Sequence, residues 1–306
     1  MTIGLGCWGL GSQSYGEVSE SDSRDLIRVA LDNGIEFFDT APLYGQGLSE
    51  FRLGRYLPID NAIKIATKVG IVSDSKKVLV KSLTPKSLKE SVDASLRRLK
   101  RDRIYLLQLH SPELGFESPE LISTLMELKS SGKIEKIGIS LKNPKMLKQQ
   151  QDILPWDAIQ FNCSILDQRV KEFSKDIEKL RKNGVELIAR TPLNFGFLGP
   201  KSPDIHNLTA LHHLRNWPKA QLEYWRDLRH HALDICKTSE FSLLECALRF
   251  PIDSKLATIV IPGATNSREL KENIQAFQRP IPLDLVTKFQ NCLQFLQEFD
   301  SPYKIQ

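Results

Sequence analysis

Along this chain, short and almost purely apolar runs alternate with longer stretches whose apolar residues return at helical spacing. The short runs occupy residues 3–7, 36–39, 63–68, 104–110, 136–140, 158–162, 186–190 and 258–262. Ile-Tyr-Leu-Leu-Gln-Leu and Val-Glu-Leu-Ile-Ala among them lack a polar face, as expected of parallel strands covered by helices. The helical stretches are 22–33, 49–56, 86–99, 120–130, 145–151, 170–183 and 243–250, with a last one at 267–277. Asn33-Gly34 and Asn183-Gly184 read as helix stops placed just before the next strand. Strand–helix units in strict alternation predict an α/β fold with a parallel sheet, either closed into a barrel or doubly wound. The rhythm breaks once. Residues 194–240 form a long insertion after the seventh strand, carrying Gly196, Gly199, Pro200 and Pro203 and then a helical stretch at 221–233. In a barrel such an insertion stands over the C-terminal rim, where ligands bind.

Length and composition narrow the class. The chain has 306 residues, 41% of them apolar and 26% charged. A single α/β barrel commonly runs to about 250 residues or more, so 1–306 reads as one domain. No apolar run approaches the roughly 20 residues that span a bilayer. The start, Met-Thr-Ile-Gly-Leu-Gly, lacks the basic flank and apolar stretch of a secretory signal. Five cysteines (Cys7, Cys163, Cys236, Cys246, Cys292) are dispersed and form no CxxC pair. They argue against a disulfide framework or zinc knuckle and for a reducing, cytoplasmic setting. The net charge of +5 is mild, and basic residues spread over helical stretches such as 86–103. Neither nucleic acid nor a membrane is therefore an expected partner.

The chemistry gathers at predicted strand ends. Asp39 closes the second strand in Phe37-Phe38-Asp39-Thr40-Ala41-Pro42-Leu43-Tyr44-Gly45, and Tyr44 follows in the loop. Lys68 closes the third strand and His110 the fourth. A phenol, with an ordinary pKa near 10, is a weak acid toward a carbonyl. An ammonium group beside it stabilises the phenolate and lowers that pKa, while a carboxylate keeps the ammonium charged and in place. A neutral imidazole can donate a hydrogen bond to the substrate oxygen. Together these groups polarise and protonate C=O while a hydride arrives from a cofactor. Polar groups seldom converge on one rim without a use, which favours function over a merely structural ion pair.

The same residues carry a resemblance. Asp39-Thr40-Ala41-x-x-Tyr44-Gly45-x-Gly47-x-Ser49-Glu50-x-x-Leu53-Gly54 resembles the signature of the aldo-keto reductases. Thr67-Lys68, Leu109-His110, Gly138-Ile139-Ser140, 158–162 and Ile261-Pro262-Gly263-Ala264 follow in family order. The resemblance runs from about Ile3 to Phe277. It implies a (β/α)8 TIM barrel with a closed eight-stranded parallel sheet and helices outside. It further implies an oxidoreductase that moves hydride between NADP(H), with NAD(H) as the alternative, and a small carbonyl or alcohol. Asp39, Tyr44, Lys68 and His110 would form the catalytic tetrad, with Tyr44 as proton donor. Ser140 and Gln160 would hold the nicotinamide amide, and residues 263–273 the pyrophosphate and adenosine end, with Gly263, Ala264, Thr265, Asn266, Arg268, Glu272 and Asn273 in contact. The residues agree with that last assignment. Gly263 permits close backbone approach, and Asn266 suits an N-cap with Glu269 at N3, leaving a helix N-terminus for a phosphate.

Three departures stand out. Many family members place a stacking tyrosine where this chain has Arg190; the run Arg190-Thr191-Pro192-Leu193 is expected to face the cofactor with a guanidinium plane instead. Basic residues of NADP-preferring members are replaced by Gly263 and Glu269, with Arg268 one position off. The chain also begins almost directly on the first strand. That predicts an apolar barrel floor left for another segment or a second copy (a homo-oligomer) to cover. Trp8 is expected at the substrate mouth. Gly4-x-Gly6-x-x-Gly9 matches a dinucleotide fingerprint only formally, because no helix follows it closely. Cys7 and Cys163 read as core residues, and His212-His213 and His230-His231 as surface residues. No metal is expected; a barrel hydrolase using Asp39 and His110 would set Lys68 against the cation. The rival reading is a regulatory barrel that binds nucleotide as a sensor with little turnover.

Overall fold

The computed structural model describes residues 2–12, 14–73, 79–150, 154–209 and 212–292. Its strands are β1 (Thr2–Ile3), β2 (Leu5–Gly6), β3 (Phe37–Asp39), β4 (Lys64–Val69), β5 (Ile71–Ser73), β6 (Leu79–Lys81), β7 (Ile104–His110), β8 (Ile134–Ser140), β9 (Ala158–Asn162), β10 (Glu186–Arg190) and β11 (Ile259–Ile261). Its α-helices are α1 (Glu20–Asp32), α2 (Leu48–Tyr56), α3 (Pro85–Leu99), α4 (Pro119–Ser130), α5 (Leu147–Gln150), α6 (Ser174–Lys182), α7 (Lys219–Lys237), α8 (Leu243–Asp253), α9 (Ser267–Phe277) and α10 (Leu283–Cys292).

The main sheet runs β1-β11-β10-β9-β8-β7-β4-β3-β2, with 9 strands, and every pairing is parallel. β1 and β2 are two halves of one stretch, parted at Gly4. β1 pairs with β11 and β2 with β3, so both ends of the row are the same piece of chain and the sheet closes. Counted as one strand, the halves leave eight, the predicted (β/α)8 barrel. A Cβ on Gly4 would lie 2.8 Å from the Phe37 carbonyl oxygen, so only glycine lets the seam close this tightly.

Side chains fill the barrel rather than leave a pore. Phe37, Ala66, Leu106, Ala158, Ile188, Ile259 and Ile261 form a buried inner plug. Beneath it, at the N-terminal ends of the strands, the Lys136 ammonium donates to the Tyr105 hydroxyl at 2.8 Å and to Glu186 Oε1 at 2.7 Å. The Tyr105 hydroxyl donates to the same Glu186 oxygen at 2.9 Å, and Lys64 lies 5.8 Å from the Tyr105 ring centre. Burial draws the Lys136 pKa down, but its bonds to Glu186 and Tyr105 outweigh that and push it up to about 12. Half-buried polar side chains therefore stand beneath the plug, where the sequence predicts an apolar floor.

Other differences are local. β5 and β6 pair antiparallel as a separate two-stranded sheet beside the end of β4. The helix expected at 145–151 shrinks to a 3-10 turn, Pro144–Met146, and the short α5; Gln151 lies outside the described residues. The 170–183 stretch divides into a 3-10 segment, Arg169–Phe173, and α6. α10 was not anticipated, although Leu285, Val286 and Phe289 carry its buried face at helical spacing. Among the described residues no helix is long and apolar enough to cross a membrane.

Candidate active site

The residues with chemistry stand where inward-facing strand positions reach the C-terminal rim. In a strand alternate side chains share a face, so Gln108 and His110 both point into the barrel from β7. Asp39 ends β3, Lys68 lies near the end of β4, Ser140 ends β8, and Gln160 sits two positions before the end of β9. Parallel register then brings side chains from distant parts of the chain to one level.

Asp39 and Lys68 form the buried base of the site, at 3% and 1% exposure. The Lys68 ammonium donates to Asp39 Oδ2 at 2.6 Å, to the Thr40 carbonyl at 2.8 Å and to the Tyr44 hydroxyl at 3.3 Å. Asp39 Oδ1 accepts from Gln108 Nε2 at 3.0 Å and from Gln160 Nε2 at 2.7 Å. Ser140 Oγ donates to Gln160 Oε1 at 3.0 Å, extending the network across five strands. Each charge is thus paired and further hydrogen-bonded, the condition under which a buried ion pair is tolerated. Tyr44 and His110 lie above this base, partly exposed, with ring centres 6.5 Å apart at 89°.

The loop carrying Tyr44 is tied at both ends. The Thr40 and Ser49 hydroxyls share a hydrogen bond at 2.8 Å, and Ser49 Oγ donates to the Cys7 carbonyl at 2.8 Å. Glu50, fully buried on α2, accepts from Thr67 Oγ1 at 2.6 Å and from Arg98 Nε at 2.7 Å. Gly11 and Gly45 meet backbone to backbone. A Cβ on Gly11 would stand 2.7 Å from Gly45 N, while Gly45 itself has φ 62°. The signature residues around Tyr44 therefore act largely as a frame for its loop.

Burial dominates the electrostatics. It pulls the Lys68 pKa down, yet Asp39 and Tyr44 reverse this and hold it above its ordinary value, so the ammonium stays charged. His110 falls well below 6.5 through burial, then Lys68, then Arg190, and is a neutral imidazole at pH 7. Tyr44 departs from the sequence expectation. Lys68 does pull its pKa down, but burial pushes harder the other way, and the hydroxyl titrates above 10.

The remaining predicted residues flank this centre. Arg190 ends β10, donates to the Leu141 carbonyl at 2.9 Å and keeps a buried Nε without a partner. Thr191 Oγ1 donates to Asn162 Oδ1 at 3.1 Å, Pro192 is buried, and Leu193 packs on the core. Thr191, Asn194 and Phe195 have φ of 55°, 43° and 58°, strain concentrated just beyond this strand end. On the other side Gly263 is exposed, Ala264 is buried, and buried Asn273 donates to the Gly263 carbonyl at 3.3 Å. Asn266 caps α9 by accepting from Glu269 N. Glu269 turns back to accept from Thr265 N at 2.8 Å and Thr265 Oγ1 at 2.9 Å, one residue short of the expected reciprocal cap. Arg268 is exposed and paired with Glu272 at 3.0 Å.

Trp8 stands at the mouth, 6.3 Å from the Tyr44 ring and 6.3 Å from Phe195, between ring centres. His213, expected at the surface, is instead buried against Trp8 and Tyr15, each at 4.8 Å, and Phe195 at 5.1 Å. Its backbone N–H donates to the Ser14 carbonyl at 2.8 Å, which draws the insertion down onto the first loop. Burial takes its pKa to about 3. Sequence reading also missed Gln108, although its place two residues before His110 on one strand face was the available signal. α1 begins only at Glu20, so no long helix opens after the Gly4–Gly9 glycines.

A profile of the aldo/keto reductase family matches residues 2–294, and the chain belongs to that family of oxidoreductases acting on carbonyl compounds. "Probable aldo-keto reductase 1" of Glycine max is 27% identical over 280 residues, covering 90% of this chain and 80% of that protein. "L-galactose dehydrogenase" of Arabidopsis thaliana is 28% identical over 284 residues, covering 90% of this chain and 83% of its own length. The solved holo form of the aldo-keto reductase AKR11C1 from Bacillus halodurans superposes with a TM-score of 0.78 at 28% identity, covering 94% of this chain and 90% of that one. The apo form of the same protein, with equal coverage, gives 0.70.

Proposed function

We propose that this chain catalyses reversible, NADP(H)-dependent reduction of a small aldehyde or ketone, with Tyr44 as the proton donor. The observation that carries this reading is the Tyr44 hydroxyl held 3.3 Å from an ammonium that is itself fixed 2.6 Å from a buried carboxylate. A bound nicotinamide dinucleotide would supply the hydride. The groups around the rim fit such a ligand. Arg190 offers a flat guanidinium with an unpartnered buried Nε, Ser140 and Gln160 line the adjoining strand ends, and exposed Gly263 precedes the capped N-terminus of α9.

The protein groups divide the work. His110, neutral, donates a hydrogen bond that orients the substrate oxygen beside Tyr44. Tyr44 passes its proton to that oxygen, and the Lys68 charge stabilises the phenolate left behind. Asp39 keeps Lys68 protonated and in place, and the Gln108 and Gln160 amides hold Asp39. Thr265 engages the Glu269 carboxylate, and exposed Arg268, paired only with Glu272, would be the residue to hold a ribose 2′-phosphate. NADPH is therefore preferred over NADH.

The test is a steady-state assay of NADPH oxidation with a panel of aldehydes, paired with nucleotide titration. Wild type should turn over, and Tyr44→Phe should lose about 10²–10⁴ in kcat while keeping its nucleotide affinity. Tight nucleotide binding with no turnover in the wild type would favour a sensor barrel and defeat this reading.

A further inference from the structure

Two cysteines that the carbonyl chemistry does not use lie together on the barrel wall. Cys236 is in the last turn of α7 and Cys246 in the first turns of α8. Their sulfurs are 3.8 Å apart, within reach of an S–H···S contact. A cavity of about 450 Å³ opens beside them, lined by His230, Leu233, Asp234, Cys236, Phe241 and Leu243. Cys236 borders this cavity with 7% exposure, whereas Cys246 behind it has none. The two thiols are therefore unequal. A small oxidant entering the cavity meets Cys236 first, and Cys246 is the nearest group behind it.

We propose that Cys236 and Cys246 form a peroxide-driven, reversible dithiol–disulfide site that staples the insertion helix α7 to the barrel helix α8. The Cys236 thiolate attacks one peroxide oxygen, the O–O bond breaks, and hydroxide leaves, giving a sulfenic acid at Cys236. The released hydroxide takes the proton of the Cys246 thiol and becomes water; the resulting Cys246 thiolate attacks the Cys236 sulfur, the S–O bond breaks, and a second hydroxide leaves, which recovers the proton that Cys236 first gave up. Peroxide is reduced by two electrons, and the two thiols together supply them.

The electrostatics agree with these roles. The sulfur–sulfur contact with Cys246 holds the Cys236 thiol below its ordinary pKa, against the opposing push of burial and Glu245. The same contact, with burial, raises Cys246. Since the thiolate is the nucleophile, Cys236 reacts first. By contrast burial holds the thiols of Cys7 and Cys163 up, and both are enclosed in the core. A disulfide needs its sulfurs at about 2.05 Å, so the gap must close by roughly 1.8 Å. Both cysteines sit at helix ends, where such a shift disturbs the fewest backbone bonds.

Sequence makes the product easy to read. Lys237 lies between the cysteines, so trypsin delivers them on separate peptides, 230–237 and 238–249. Reduced full-length protein is treated with hydrogen peroxide, its remaining thiols are blocked with N-ethylmaleimide in denaturant, and unreduced digests are analysed by mass spectrometry. The expected product is the two peptides joined with loss of two hydrogens, released by dithiothreitol. In Cys246→Ser, dimedone should label Cys236 after the same dose; in Cys236→Ser, Cys246 should stay unlabelled. Recovery of both wild-type peptides carrying maleimide overturns the proposal. So does oxidation of Cys236 to the sulfinic acid without a cross-link. The wild-type digest decides the matter even where a serine variant fails to fold.

Discussion

Replacing Lys68 with methionine and Asp39 with asparagine, singly and together, probes the pair on which the proposed site stands. In Lys68→Met the Asp39 carboxylate, 3% exposed, loses its 2.6 Å partner and retains only the Gln108 and Gln160 amides. In Asp39→Asn the oxygen facing those amides survives, but an amide N–H₂ meets the ammonium at the other position. Removing one partner of a buried ion pair costs about 3–5 kcal/mol, because the surviving charge is left uncompensated. For a chain of this size that is a fall of roughly 6–10 °C in Tm, at ~2 °C per kcal/mol. The double variant leaves no charge behind, and its cost should be no greater than that of either single. The implied coupling is about 3–5 kcal/mol, at or above the top of the range for residues in direct contact. Urea unfolding of all four proteins, followed by far-UV circular dichroism, measures it. Single costs that add in the double to within ~0.5 kcal/mol would refute the idea that Lys68 and Asp39 carry buried, mutually compensating charges. Turnover should be lost in all three variants, since the double restores folding without restoring the ammonium beside Tyr44.

The remaining predictions concern pH and the nucleotide. Under the proposed mechanism reduction requires protonated Tyr44, whose pKa burial raises above 10, so kcat should hold through neutrality and fall only above pH 10. His110 titrates well below 6.5, and an inflection between pH 6 and 8 in kcat/KM would contradict its neutral role. Lys68 has a folded pKa above 10.5, so the stability it contributes is fully present below that value and lost as pH rises through the folded one; alkaline melts read this loss. Arg190→Ala should weaken NADPH binding by about tenfold, roughly 1.4 kcal/mol of lost stacking and hydrogen bonding. Unchanged affinity by fluorescence titration would remove Arg190 from the cofactor site. Arg268→Ala should raise the Kd for NADPH at least several-fold while leaving that for NADH alone, with an equal effect on both counting against a 2′-phosphate contact.

Much of this protein was legible before any fold was drawn, because it is encoded in local patterns. A strand repeats every two residues and a helix every 3.6, so alternating units and the polar residues at strand ends can be read without knowing what lies across from them. Asp39, Tyr44, Lys68 and His110 were found that way, as was the Asn266 cap. What only the tertiary structure decided depends on neighbours far away in the chain. Closure through a first strand split at Gly4, the Tyr105–Lys136–Glu186 floor, His213 drawn into the aromatic mouth and Cys236 set against Cys246 are all contacts across separate elements. The sign of the Tyr44 shift belongs with them. Proximity to Lys68 was foreseeable from motif spacing, but burial is a sum over every atom packed around the hydroxyl, and in this fold that sum is the larger quantity.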